Sequence, residues 1–190
     1  MKIECIFEII DGALAAVKYA NQPSNSFEYC FDLWDDVAYL EEYFEMNKNH
    51  LASNFWQMGV EDAIFKTLDE AKQFKDDILT FAEQGKGFGA TGLEGAIFVS
   101  LHKDLRSNTR IQSKAYGNIK GKSLLRIYAI RLGTNQYIVT GGAIKLTKEM
   151  QAHEDTALEL RKIAYVSDYL KQLGIADADD YGYLEFENKN

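Results

Sequence analysis

The chain has two cysteines, three histidines and one proline in 190 residues, and no apolar run approaches the roughly 20 residues that span a bilayer. Cys5 and Cys30 are too few for a disulfide framework and form no metal-ligand spacing, which points to a reduced, cytoplasmic compartment. The opening MKIECIFEII alternates charged and apolar residues, unlike the continuous apolar core of a signal peptide. His50, His102 and His153 sit far apart in sequence, and no H-E-x-x-H or G-x-S-x-G motif is present. Neither a metal nor another cofactor is therefore expected. A surplus of acid, 29 Asp and Glu against 21 Lys and Arg, argues against a uniformly basic nucleic-acid binder.

Two glycine-bearing segments fail as phosphate cradles. Gly87, Gly89 and Gly92 have G-x-G-x-x-G spacing, but a helical pattern precedes them and a strand pattern follows, the reverse of a dinucleotide-binding turn. Gly121-Lys122-Ser123 resembles the end of a Walker motif, but Tyr116 stands where the first glycine is required. The glycines from Gly85 to Gly92 read as a connector.

What is present reads as one α+β domain over residues 1–190: an antiparallel sheet with packed helices and an additional N-terminal β-meander. The meander, 1–31, comprises Lys2 to Ile10 with Ile3, Cys5, Phe7 and Ile9 on one face. A two-residue turn at Asp11-Gly12 leads to a return strand from Ala13 to Tyr19, and Phe27 to Phe31 forms a third strand. Helices fill 32–85: one with the stripe Leu33, Val37, Leu40 and Phe44, one from Gly59 to Lys66, and a third opened by the capping box Thr67-x-x-Glu70. Basic strands occupy 96–146, namely Ala96 to Leu101, Leu124 to Leu132 and Gln136 to Leu146, with a bulge at Gly141-Gly142. A C-terminal helix covers 150–174 and an acidic tail 175–190.

Charge is unevenly distributed. Residues 101–148 hold ten basic side chains and one acid, Asp104, so the rest of the chain is strongly acidic. A basic loop from Arg106 to Lys122 feeding two basic strands suits a flexible polyanion. Arg110, Lys114, Tyr116, Lys120 and Lys122 are candidates for RNA contact, and Tyr116, Tyr128 and Tyr137 for stacking on bases. The bland alternative is that these cations pair with the protein's own acids. Arg126, Tyr128, Arg131 and Lys145 form the candidate chemical cluster. Arg126 and Tyr128 share one strand face, while Arg131 has the opposite parity. Cations beside a scissile phosphate stabilise its developing charge, and an RNA 2′-hydroxyl supplies the nucleophile without a metal.

The run Leu124-Leu125-Arg126-Ile127-Tyr128-Ala129-Ile130-Arg131, then Tyr137-Ile138-Val139-Thr140-Gly141-Gly142-Ala143-Ile144-Lys145, then a helix, resembles the RelE/ParE toxin superfamily, closest to its HigB-like, phage-derived branch. The resemblance covers about residues 97–173. It implies a RelE-like sheet and a metal-independent mRNA endonuclease that acts on ribosome-associated message and is restrained by an antitoxin protein. By position, Arg126 matches the arginine of the "L-R" strand, and Lys145 matches the lysine after the last strand. Arg131 and Tyr128 join them only by proximity. The chain is longer and more acidic than members of that family. With this departure goes the alternative of a non-catalytic, toxin-like protein whose basic strand face binds an acidic partner.

Overall fold

The computed structural model describes residues 1–87, 89–101, 112–117, 122–184 and 186–187. Its chain opens with an antiparallel hairpin, β1 (Ile3–Ile10) and β2 (Leu14–Tyr19). Three residues connect the strands rather than two, and only Gly12 (φ +68°) takes the left-handed conformation. Register shifts between Ile3 and Cys5 and between Glu8 and Ile10 break the expected face. Ile3 and Ile6 share one core, whereas Ile9 and Ile10 pack against the other.

The expected third strand is a helix. In α1 (Ser26–Asp35), Asn25 Oδ1 accepts from the amides of Phe27 and Glu28, both at 3.1 Å, and fixes the helix start. Phe27, Phe31 and Trp34 then line up at helical spacing, with successive ring centroids 4.9 and 5.2 Å apart. Asp36 ends this helix and caps the next, α2 (Val37–Met46), through Ala38 and Tyr39. The single expected helix is thus two, and Val37 is exposed. A short α3 (Lys48–Leu51) follows.

The two helices expected around Thr67 are one continuous α4 (Val60–Gln84). Thr67 caps nothing: it is buried and its hydroxyl donates to Ala63 O one turn back, 2.8 Å away. Glu70 instead crosses to the sheet, where Oε2 accepts from Ser123 Oγ (3.0 Å) and Leu124 N (2.9 Å). Its other oxygen faces Lys66 Nζ at 2.6 Å.

The connector after α4 leads into α5 (Leu93–Ala96), so the following strand, β3, is confined to Phe98–Ser100. Part of the expected basic loop is a strand, β4 (Gln112–Tyr116). Then come β5 (Leu125–Gly133), β6 (Gln136–Ile144), a 3₁₀ turn at Met150–Ala152 and α6 (Glu154–Gln172). Buried Tyr181 and Leu184 anchor the acidic end, Tyr183 stays exposed, and β7 (Phe186–Glu187) joins the sheet. Glu185 lies outside the described residues.

The seven-stranded sheet runs β3-β4-β5-β6-β2-β1-β7, antiparallel throughout except for the β2–β6 and β1–β7 pairs. The fold is therefore mixed α+β with a mostly antiparallel sheet. Helices α1 to α4 cover one face, against Leu14, Leu125, Ile127 and Val139. Helix α6 and the chain end cover the other, against Tyr19, Tyr128, Ile130 and Ile138. Coverage on both sides explains why Leu125 to Ile130 is buried at every position although its side chains alternate. Among the described residues, no helix is long and apolar enough to cross a membrane.

Candidate nucleic-acid interface

Three adjacent strands bring five of the sequence-selected residues to one face, the side on which α6 lies. Tyr116 of β4 is opposite Arg126 of β5, Lys114 is opposite Tyr128, and Arg126 is opposite Ala143 of β6. Lys145 extends β6 beside them, its amide donating to Leu124 O at 2.6 Å. The bulge in β6 falls at Thr140, because Tyr128 pairs with Gly141 while Ala129 pairs with Val139. The side chains of Ala143 and Lys145 thereby stay in phase with Arg126.

Arg126 is the buried member, 8% exposed. One guanidinium nitrogen, Nη1, donates to the carbonyls of Ser123 (3.0 Å) and Leu125 (2.6 Å). The Tyr116 ring covers the group, its centroid 4.1 Å from Cζ. Lys114 Nζ is 5.8 Å from the same ring, and both Lys114 and Lys145 are partly exposed. Burial lowers the Lys145 pKa, and the charges of Arg126 and Lys114 lower it further. Burial likewise lowers that of Arg126. Among the described residues, no ion pair involves Lys114, Arg126 or Lys145. At this face, the alternative of pairing with the protein's own acids is not realised among the described residues.

The other sequence-selected residues lie elsewhere. Tyr128 is fully buried under α6, so its ring cannot stack on a base, and burial raises its pKa. Tyr137 is buried too, stacked on Phe98 with centroids 4.5 Å apart. Arg131 points to the opposite face near the far end of β5, where Nε donates to Gly133 O at 3.1 Å. Lys122 turns to the helical layer, donating to Phe55 O at 2.5 Å with its ammonium 4.9 Å from the Phe55 ring centroid. Arg110, Lys120 and His102 lie outside the described residues.

The fold also brings together polar groups that lie far apart in the sequence. His50 and His153, distant in sequence, have ring centroids 5.3 Å apart. His153 caps α6, and the adjacent Asp155 accepts from Tyr43 Oη at 2.7 Å. Cys30 belongs to a helix rather than a strand, and burial raises its pKa, the opposite of an activated thiol. Glu159 is the other buried carboxylate besides Glu70 among the described residues. Its signal in the sequence was its place one turn before Ile163 on the apolar stripe of α6. No group of three or more His, Cys, Asp or Glu among the described residues could hold a metal.

Comparison with known protein families, with curated proteins and with solved structures finds no match for this chain.

Proposed function

We propose that the β4–β5–β6 face binds the phosphodiester backbone of RNA, and that the protein is a toxin-type, metal-independent endoribonuclease similar to the RelE/HigB-like enzymes. One observation carries this reading: three cations from three adjacent strands converge on one face without an ion-pair partner among the described residues. Lys114 and Lys145 present the accessible charge, while Arg126 raises the potential from beneath, its orientation held by two carbonyls and Tyr116. Unneutralised, partly desolvated cations are strong anion partners because the attraction is little screened.

In the cleavage step, a 2′-hydroxyl oxygen forms a bond to the adjacent phosphorus and the P–O5′ bond breaks. The hydroxyl proton passes to solvent water and the 5′ oxygen takes one from water, giving a 2′,3′-cyclic phosphate and a 5′-hydroxyl end. Lys145, with Arg126 behind it, would stabilise the charge that builds on the phosphoryl oxygens. This reading carries with it a cytoplasmic location, ribosome-associated message as substrate and an antitoxin as partner.

A specific observation favours a second reading, a non-catalytic protein that docks an acidic partner on the same face. Tyr128, which shares the face of β5 that carries Arg126, is fully buried and cannot serve a substrate. Controlled expression of the wild type and Lys114→Ala/Lys145→Ala, following growth and mapping mRNA ends, separates the two. New message ends and growth arrest in the wild type, both lost in the folded variant, support the nuclease. Intact message in both, with an acidic protein retained only by the wild type, supports the docking protein.

A further inference from the structure

Strands β2 and β6 are paired only from Leu14–Tyr137 to Ala16–Val139. Around the end of that pairing, hydroxyls supply hydrogen bonds: Ser26 Oγ of α1 donates to Val139 O at 3.0 Å, and Tyr19 Oη of β2 donates to Thr140 O at 2.9 Å. Helix α6 inserts the Glu159 carboxyl here, against the backbone of Gly141. Any side chain at position 141 would occupy the space that Glu159 Oε2 fills. Lys162 Nζ is 2.6 Å from Oε1 and 5.6 Å from the Tyr19 ring centroid. Oε2 has no hydrogen-bond partner among the described residues, and Glu159 is 3% exposed.

An ionised carboxylate with one bare buried oxygen is costly, whereas a protonated one has less charge to solvate. Lys162 and Asp155 from its own helix act on it, and its charge in turn raises the pKa values of the groups facing it from the other elements, Tyr19 of β2, Cys30 of α1 and Tyr128 of β5. Burial is the main cause that pushes the Glu159 carboxyl up to about 7, with Lys162 opposing and Asp155 reinforcing.

We propose that Glu159 is a proton-operated clasp: with its proton bound it holds α6 against β6 at the Thr140–Gly141 bulge, and on losing it α6 loosens from the sheet. The covering over Tyr128, beside the basic face, would thereby respond to pH near neutrality. This holds whether or not that face binds RNA.

Hydrogen exchange of the full chain between about pH 5.5 and 8, corrected for intrinsic rates, tests it. In the opened state the carboxyl titrates near its ordinary value of about 4.3, so the opening constant of α6 should rise roughly thirtyfold across that range. Peptides from α4 serve as the internal reference. Glu159→Gln should abolish the rise, and Lys162→Met should move its upper limit to higher pH by removing the cation that favours ionisation. A pH-independent α6 in the wild type, or an unchanged rise in Glu159→Gln, would overturn the proposal. Should the glutamine variant not fold, carbon-13 titration of the wild-type Glu159 carboxyl decides, because a midpoint in the ordinary carboxylate range removes the switch.

Discussion

Arg126 and Tyr116 are cross-strand partners whose side chains meet on one face of the sheet, the guanidinium carbon 4.1 Å from the ring centroid. Because Nη1 also holds two backbone carbonyls, the guanidinium is fixed before any ligand arrives. A fixed charge loses little entropy on binding, which favours recognition by this group over recognition by a free surface arginine. The partly exposed ammonium groups of Lys114 and Lys145 flank it, so the face combines one buried, anchored cation with two that reach solvent.

If RNA phosphates lie on this face, each lysine displaces counterions from the strand. Lys114→Ala and Lys145→Ala should each reduce the slope of log affinity against log salt by about 0.7 for a single-stranded RNA. Lys122→Ala should leave that slope unchanged, because its ammonium is engaged at Phe55 O. Fluorescence anisotropy from about 50 to 200 mM salt measures all three. Equal slopes in the wild type and both single variants would remove the face from consideration.

The lowered pKa of Lys145 gives a pH signature of its own. Burial and two neighbouring cations disfavour its charge, so it loses its proton below the ordinary lysine range. RNA affinity should then fall as pH rises through that depressed value. Lys145→Arg should carry affinity to higher pH, because a guanidinium remains charged. An affinity that falls in parallel for the wild type and the arginine variant would show that another group governs the dependence.

The parts of the fold legible in the sequence were those with long, uninterrupted patterns. The β5–β6 pair and α6 follow from β-branched runs and from Ile163, Val166 and Leu170 at helical spacing. Phe27 to Phe31 misled because five alternating residues also fit a helix with aromatics on one side, and the Asn25 cap decides between them. Thr67 and Glu70 have the spelling of a helix start, but Glu70 answers the buried amide of Leu124, 54 positions away, a demand no local pattern records. At the site, parity alone placed Arg126 with Tyr128. Lys114 and Tyr116 joined them only because a stretch read as loop pairs with β5. Glu159 went unnoticed since a carboxylate on an apolar stripe makes sense only once Gly141 is seen to leave room for it.

Asn135, in the turn between β5 and β6, fastens the helical connector to the sheet. Its Oδ1 accepts from Leu93 N at 2.8 Å, its Nδ2 donates to Ala82 O at 2.9 Å, and its own amide donates to Glu94 Oε2 at 2.9 Å. The residue is 5% exposed and has a φ of 57°, a conformation asparagine tolerates better than most. Asn135→Ala should cost roughly 3 kcal/mol in chemical denaturation, since it strands two backbone groups and strains the turn. Asn135→Gly should cost less, because it relieves the strain while still losing both bonds. The carboxamide occupies the space in which a Cβ at Gly85 or Gly92 would stand. Gly85→Ala should therefore be strongly destabilising in the wild type and much milder in the Asn135→Gly background, a coupling that a double-mutant cycle reads directly. Additive costs would mean that the connector closes on the sheet through contacts other than this side chain.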